Sequence, residues 1–371
     1  MFWVFIIIVV LTYIINKLTL KYGLKDVVYK REISKDVVEI GEEFEISTII
    51  ENRKFLPVTF LRVEEKFPDM LEYKFKANYI STGGYIFHIT TMFVLPYQRI
   101  KRTYSITGNE RGIYVFRDVN LGAGDFVGFG MNYTDIDYFQ ELVVLPQKAQ
   151  LGKVLVPYGS YNGDVSVKRW IINDPLMNVG VREYTGREPE KYIHWPSSLK
   201  YGRLMVKNFD FTTDNRVIIL LNVESSKPFW SSIEKEQIEK CISICRGILE
   251  EMEEKKIPYG FTTNSQISDF YNGDNLTHPG IGAAHFGYIL EALGRTSYGL
   301  TLTFEEFIEN IIGRRERFTT YVIVTPKVFD SYLNPIERLK KVAEKLVVIS
   351  IQEENLDLLS NDIIKYSGRN D

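Results

Sequence analysis

The side chains best suited to chemistry are concentrated in residues 180–207, here the signature segment. Arg182, Glu183 and Tyr184 follow one another directly. The segment also contains a histidine–tryptophan pair and several glycines and cations, of which the candidate site includes His194, Trp195, Gly186, Gly202, Arg203 and Lys207. Histidine, carboxylate and hydroxyl groups are the parts of a hydrolytic site, whereas cations beside aromatic rings are typical of protein recognition.

His194 would act as a general base if a nucleophile and an orienting carboxylate stood beside it. Glu183, Ser197 and Ser198 are near in sequence, but the chain has no Gly-x-Ser-x-Gly nucleophile motif. The remaining histidines belong to no His-Glu-x-x-His zinc motif: His88, His278 and His285. We therefore predict that the protein is not an enzyme, and a hydrolase that uses His194 is the least favoured alternative.

The signature segment allows two interpretations. In the first, Arg182, Arg203 and Lys207 bind carboxylates of a partner, and Trp195 anchors the contact. In the second, the segment is an internal clasp, in which Arg182 and Glu183 pair with neighbouring backbone groups and charges, and Trp195 fills a core beside the first strand of the α/β domain. We favour the clasp, because mixed charges and aromatic rings satisfy the buried polar groups of a domain junction.

Composition argues against two classes of ligand. Lys+Arg 45 against Asp+Glu 48 gives a formal net charge of -3, so no overall basic field is present to hold nucleic acid. Only two cysteines occur, Cys241 and Cys245, and no histidine lies near them in sequence. Their positions one turn apart on a predicted helix favour two buried thiols over a metal or redox pair. We expect no cofactor.

An apolar run opens the sequence and predicts a membrane span. Residues 2–15 carry no charge, and two leucines extend the stretch past Lys17. About 20 helical residues cross a bilayer core, and a lysine near the end extends its ammonium group to the headgroups. A cleaved signal peptide would need a basic start and a small-residue cleavage site, and a buried helix would be amphipathic. We predict a transmembrane helix within residues 1–22, with residues 2–20 in lipid.

The charges that flank this helix predict its orientation. Nothing charged precedes its uncharged run except the α-amino group, and five cations lie after that run: Lys17, Lys21, Lys25, Lys30 and Arg31. Because cytoplasmic flanks carry the excess of Lys and Arg, we expect the bulk of the chain in the cytoplasm. The lack of a disulfide framework suits a reducing compartment. The predicted location is the cell membrane, with a single pass.

Residues 27–150 have the pattern of a β-sandwich. Apolar residues alternate on both sides of a turn at Gly41, which is the period of half-buried strands. Further strands are predicted at 58–65, 72–77, 85–94, 100–107 and 112–121. Short strands punctuated by Gly, Pro and Asn predict antiparallel sheets. The four glycines within 122–130 lack the endings of phosphate-binding loops, so they predict a turn beside a sheet edge.

In residues 216–371 apolar runs alternate with helical periodicity, which predicts an α/β domain with a mainly parallel sheet. Its strands are predicted at 217–223, 257–263, 321–325 and 346–351. One helix, capped by Ser231 or Ser232, is predicted to run to about 256, and others are predicted at 283–294, 304–314 and 335–345. Ligands of such sheets bind at the carboxyl ends of strands, which here are 222–226, 262–265 and Thr325.

Three sequence blocks resemble the signature of a known family. Residues 180–186 read Gly-Val-Arg-Glu-Tyr-Thr-Gly, residues 193–195 read Ile-His-Trp, and residues 202–207 read Gly-Arg-Leu-Met-Val-Lys. Together they resemble the bacterial and archaeal domain of unknown function 58 family, as do residues 111–129. The resemblance covers nearly the whole chain. It implies a hydrophobic N-terminus, a β-sandwich, a linking signature in 151–215 and an α/β domain similar to von Willebrand factor A domains.

The sequence departs from these patterns at positions that matter for a metal. The family's Gly-Asp is Gly186-Arg187 here, and the metal-binding Asp-x-Ser-x-Ser of von Willebrand A domains corresponds to Asn222, Glu224 and Ser226. Asn222 is a neutral ligand and Glu224 is too long for a serine's place, whereas Mg²⁺ requires hard oxygens in near-octahedral geometry. The resemblance thus implies a degenerate metal site, and a metal-dependent ligand-binding protein is the alternative function.

Members of this family are implied to work with MoxR-type AAA+ ATPases, often at the membrane, and no enzymatic activity is established for them. The resemblance therefore implies a membrane-anchored, non-enzymatic adaptor or scaffold that acts with such an ATPase in complex assembly. The expected partners are the lipid bilayer and that ATPase.

Overall fold

A computed structural model describes residues 2–74, 79–125, 127–158, 178–186, 190, 193–209, 216–268, 276–314 and 316–368. The chain divides into two compact units. The first comprises Met1–Gln147 with Leu293–Arg295, and the second comprises Lys148–Ala292 with Thr296–Asp371.

The first unit begins with helix α1, Phe2–Tyr22. Its sequence is apolar all round up to Ile15, and most of its side chains are exposed. Within the described residues it is the one helix long and apolar enough to cross a membrane. The predicted N-terminal apolar helix is confirmed.

The remainder of this unit is a β-sandwich. Its strands are β1 Val27–Ile33, β2 Val37–Val38, β3 Glu43–Asn52, β4 Val58–Pro68, β5 Leu71–Tyr73, β6 Tyr79–Thr82, β7 Tyr85–Val94, β8 Arg99–Gly108, β9 Gly112–Gly124, β10 Met131–Ile136 and β11 Gln140–Val144. One sheet has the order β1-β3-β8-β5, and the other has the order β2-β11-β9-β4-β7-β6 with β10 beside β9. Adjacent strands are antiparallel except β2 and β11, which pair in parallel.

The core of the sandwich lies between these two sheets. Alternate residues of β4 are buried, as expected for a strand with one face toward a core. Both sheets contribute to one apolar cluster: Val38, Phe44, Ile46, Phe67, Leu71, Ile106, Tyr114, Phe116, Leu142 and Val144. The predicted β-sandwich is therefore confirmed. Strand β5 ends earlier than the predicted strand 72–77, of which residues 75–77 lie outside the described residues.

A polar cluster is buried within the apolar core of the sandwich. Glu65 accepts a hydrogen bond from Thr48 at 2.8 Å and another from Tyr29. The guanidinium of Arg31 is buried and lies over the rings of Phe116 and Tyr138, at 5.6 and 5.1 Å from their centroids. Arg31 therefore packs inside the sandwich, although its sequence position suggests a charge that flanks the membrane.

The second unit alternates strands and helices. Its strands are β12 Leu155–Tyr158, β13 Asn178–Glu183, β14 Met205–Phe209, β15 Val217–Leu221, β16 Tyr259–Thr263, β17 Ser265–Ile267, β18 Thr277–Gly280, β19 Thr296–Leu300, β20 Thr320–Thr325, β21 Lys345–Ser350 and β22 Ile364–Gly368. Its helices are α2 Leu151–Val154, α3 Trp195–Tyr201, α4 Lys235–Glu254, α5 Ala283–Arg295, α6 Phe304–Gly313 and α7 Asp330–Val342.

The main sheet of this unit has the order β12-β22-β21-β20-β15-β16-β18. The strands from β22 to β16 are parallel, whereas β12 and β18 are antiparallel to their neighbours. All residues of β15 and β20 are buried, which explains their continuous apolar sequences. The sheet is thus mixed, with a parallel centre and antiparallel edges.

Helix α4 buries the apolar face that its sequence predicts. Cys241 and Cys245 lie on that face, are free thiols and are fully buried, and burial raises the pKa of both. The prediction of two buried thiols is confirmed. The predicted cap at Ser231 or Ser232 is wrong, because the helix begins at Lys235 and Glu234 occupies the N-cap position.

Candidate functional site

The three blocks of the signature segment come together in one small structure. Strands β13 and β14 pair antiparallel, with Arg182 opposite Val206 and Glu183 opposite Met205. Ile193 forms a further bridge to Val206. Residues that are apart in sequence therefore share one hydrogen-bonded framework.

Helix α3 is held onto this framework by the residues at its start. The Nδ1 atom of His194 accepts from the backbone N–H of Ser197 at 3.3 Å and lies 2.9 Å from its hydroxyl. The hydroxyl of Ser198 donates to the His194 carbonyl at 3.0 Å and accepts from the N–H of Met205 at 2.8 Å. His194 thus caps the helix, whereas the Glu183 carboxylate pairs with Arg203 at 3.2 Å.

Both glycines of the predicted site adopt left-handed backbone conformations. Gly202 has φ 64 and ends α3, and Gly186 has φ 84 in the turn after β13. A side chain with a Cβ atom is disfavoured at such angles. These glycines therefore shape the framework.

Helix α3 and the residues just after it carry exposed, large apolar side chains. Their exposed fractions are 60% for Trp195, 84% for Leu199, 54% for Tyr201 and 44% for Leu204. The interpretation that Trp195 fills a core is wrong, because the buried positions of this segment are taken by Ile193, Ser198, Met205 and Val206.

The other predicted residues of the segment lie at its edges. The backbone N–H of Tyr184 donates to the Leu204 carbonyl at 2.9 Å, and the Arg182 side chain is exposed. Lys207 lies in β14 opposite Val181, and its side chain is outside the described part of the structure.

A second candidate site lies at the carboxyl end of β15, as the sheet topology predicts. The side-chain oxygen of Asn222 accepts from Asn264 at 2.7 Å and from the N–H of Glu224 at 3.0 Å. Its amide donates to the hydroxyl of Thr325 at 2.9 Å. Polar residues from the ends of three neighbouring strands therefore meet in one buried network.

Glu224 is at the centre of this network. Its carboxylate accepts from the hydroxyl of Tyr332 at 2.8 Å and from the N–H of Phe304, at the start of α6, at 3.0 Å. The ammonium of Lys227 lies 3.0 Å from Glu224 and 2.8 Å from Glu305. Burial raises the pKa of Tyr332, and the negative charge of Glu224 raises it further.

These residues do not fit the Mg²⁺ site that the family resemblance implies. The Asn222 oxygen accepts two hydrogen bonds, and the Ser226 hydroxyl donates to the Ser232 carbonyl at 2.6 Å. The positive charge beside Glu224 is supplied by Lys227, which belongs to the chain itself. A divalent cation would have to compete with this ammonium for the same carboxylate.

One exposed feature beside this network was not identified from the sequence. Phe229 and Trp230 form an edge-to-face pair with centroids 5.1 Å apart, and Trp230 is 75% exposed. Ile233 in the same loop is also exposed. The available signal was the Pro-Phe-Trp sequence directly after the polar end of a buried strand.

Comparison with known proteins gives no match to a family model or to a curated protein. Solved structures match at low similarity. The CARDB domain of PF1109 from Pyrococcus furiosus is 15% identical, with a TM-score of 0.22 over 32% of this chain and 94% of that chain. A cohesin module from a Clostridium perfringens family 33 glycoside hydrolase is 13% identical, with a TM-score of 0.23 over 32% of this chain and 96% of that chain. Such values carry no argument about activity or partners.

Proposed function

We propose that the protein is a membrane-anchored adaptor, without an enzymatic activity of its own, that binds a protein partner through the outer side of the signature segment. The observation that carries this proposal is the exposure of Trp195 and Leu199. They lie one turn apart on α3, so their side chains share one face of the helix. Contiguous exposed apolar side chains with a charged rim are typical of protein interfaces.

The rigidity of the segment also supports a binding role. Helix α3 is capped by His194, ended by Gly202 and tied to β14 through Ser198. A surface that is already ordered loses little conformational entropy when a partner binds. The Arg203–Glu183 ion pair lies at the edge of the apolar patch and remains solvent-exposed. Such rim charges contribute to partner choice more than to affinity.

Helix α1 provides the anchor in this proposal. Its length suits a bilayer core, and Lys17, Lys21 and Lys25 follow the apolar run. By the positive-inside bias both units then lie in the cytoplasm. The protein would hold its partner at the inner face of the cell membrane.

The partner that we propose is a MoxR-type AAA+ ATPase, and the second unit would be a von Willebrand factor A-like domain. This assignment rests on the family resemblance of the signature segment. The two alternatives receive less support. Metal-dependent binding would require Lys227 to leave Glu224, and a hydrolase would require His194 to leave its capping position.

Co-purification of the full-length protein in mild detergent, after co-expression with a MoxR-type ATPase, tests the proposal. We expect Trp195→Ala combined with Leu199→Ala to weaken ATPase retention on the order of 30-fold, because a buried interface tryptophan commonly contributes 2 kcal/mol or more. Trp230→Ala is the matched control, since Trp230 is also an exposed tryptophan of the second unit.

Each outcome of this experiment is decisive. If the Trp195→Ala, Leu199→Ala variant loses the ATPase and the Trp230→Ala variant retains it, the result supports binding through the outer side of the signature segment. If only the Trp230→Ala variant loses the ATPase, the contact lies near the carboxyl end of β15 and the proposed surface is wrong. If the unmutated protein retains no ATPase, the proposed partner is wrong.

A further inference from the structure

The loop between β9 and β10 contacts α1 at Asn16. The side-chain amide of Asn16 donates to the carboxylate of Asp125 at 2.9 Å, and its oxygen accepts from the N–H of Val127 at 3.1 Å. Asn132, just beyond the loop, donates to the carbonyl of Leu20 at 2.6 Å. The loop is thus fixed beside the residue at which the uncharged run of α1 ends.

The carboxylate of Asp125 is buried in this loop, whereas the side chains of Val127 and Phe129 are exposed. The carboxylate of Asp125 also accepts from the N–H of Phe129 at 2.9 Å and from the N–H of Gly128. Gly128 has φ 88, which permits the chain reversal. The side chain of Phe129 is 86% exposed, and Val127 is also exposed. The loop therefore presents two apolar side chains from a rigid, hydrogen-bonded base.

Two further loops lie at the same end of the sandwich. Strand β3 ends at Asn52, opposite the first residue of β1, and β7 ends opposite the first residue of β4. The ammonium of Lys54 donates to the carbonyls of Gly23 and Lys25 at 2.9 and 2.7 Å, which fixes its loop beside the end of α1. The exposed apolar side chains of these loops are Phe55, Leu95 and Tyr97.

We propose that this end of the sandwich rests on the bilayer, with Val127 and Phe129 inserted at the boundary between headgroups and acyl chains. The inference deepens the proposed membrane anchoring and rests on it. From Asn16 to Gly23 is about 10 Å along a helix that rises 1.5 Å per residue. Phe55 and Tyr97 therefore lie in the headgroup region, where the ring of Tyr97, which ends in a polar hydroxyl group, is favoured.

The charge of this end fits the headgroups of anionic lipids. Lys17, Lys21 and Lys25 are exposed there, whereas the exposed Arg53 is paired with Glu51 at 2.6 Å. Lysines close to an anionic leaflet are attracted by its negative surface potential. The helix and the loops together hold the sandwich at two or more points, so it cannot pivot freely about the residues that follow α1.

Depth-dependent quenching in liposomes that contain anionic lipid tests this inference with the full-length chain. An environment-sensitive fluorophore is attached to a cysteine introduced by Phe129→Cys, while the native thiols remain buried. We expect a blue-shifted emission and a loss of fluorescence with lipids that carry a shallow nitroxide. Met70→Cys is the matched control, since Met70 is exposed beyond Pro68, at the opposite end of β4.

A third label, at Ile8→Cys in α1, separates the two proposals. Both the membrane anchor and the inserted loop are supported if a deep nitroxide quenches the label at position 8, a shallow nitroxide quenches the label at position 129, and no nitroxide quenches the label at position 70. Quenching at 8 without quenching at 129 overturns the inserted loop and leaves the anchor intact. No quenching at position 8 overturns the membrane anchor itself. Circular dichroism of each labelled protein verifies that it is folded.

Discussion

The ammonium group of Lys227 lies 3.0 Å from the carboxylate of Glu224, which is almost fully buried. The same ammonium contacts Glu305 at 2.8 Å. A buried carboxylate needs a compensating charge or hydrogen bonds, because its removal from water is costly. Lys227 thus supplies, from within the chain, the positive charge that a metal ion would supply in a metal-dependent domain.

Removal of this cation should destabilise the second unit. Lys227→Met leaves Glu224 with hydrogen bonds but without an opposite charge. We expect the free energy of unfolding to fall by about 2–3 kcal/mol. Breaking a fully buried ion pair costs roughly 3–5 kcal/mol, and the smaller value is expected here because Lys227 is partly exposed. Scanning calorimetry of the full chain in detergent should detect it, and Lys341→Met, at an exposed lysine, should have little effect. Equal midpoints in the two variants would contradict this prediction.

The stability of the second unit should fall in acid through Glu305. Burial raises the pKa of Glu305, but hydrogen bonds from Lys227 and Ser331 outweigh burial and hold it below its usual range. A carboxyl with a lowered folded-state pKa stabilises the fold above its unfolded pKa of about 4.3, and this contribution is lost as the pH falls through the folded value. Urea unfolding from pH 7 downward should therefore show a shallower decline for Glu305→Gln. Parallel pH profiles would argue against this contribution.

Divalent cations should not stabilise the unmutated protein. The Asn222 and Glu224 oxygens accept hydrogen bonds from neighbouring groups, and the ammonium of Lys227 opposes a second cation. We expect no binding heat on titration with Mg²⁺ and no rise of the thermal midpoint. A saturable heat that disappears in Asn222→Ala would revive the metal-dependent alternative.

His194 should act through the helix cap and not through proton transfer. His194→Ala removes the acceptor for the Ser197 N–H, and loss of such a cap costs about 1 kcal/mol. Asn is a good capping residue, so His194→Asn should restore the stability. Thermal midpoints of both variants measure this. A hydrolytic activity that both substitutions abolish would instead support the hydrolase alternative.

The sequence predicted the elements whose patterns are regular. The buried run that became β15 and the amphipathic helix α4 were both identified, because continuous apolar residues and a period of 3.6 are strong signals. Strands β1 and β10 were not predicted. Strand β10 is mostly exposed and lacks an alternating apolar pattern, so its pairing with β9 decides its structure.

The candidate site was predicted less completely. The carboxyl end of β15 follows from the topology of a parallel sheet, and Asn222 does lie there. The ion pair between Lys227 and Glu224 depends on the loop conformation and on contacts with α6 and α7. No local sequence pattern encodes these contacts. The favoured interpretation placed Trp195 in a core rather than at an exposed anchor position, because aromatic rings suit cores and interfaces equally well.

The position of β22 has a consequence for synthesis on the ribosome. Every sandwich strand lies before residue 145, so the sandwich can fold as soon as these strands have emerged. In the second unit, β22 (Ile364–Gly368) lies between β12 and β21. Until β22 emerges, a nascent chain exposes two unpaired strand edges, which are prone to pairing with other chains. Such a nascent chain would depend on protection by chaperones for as long as translation of this region lasts.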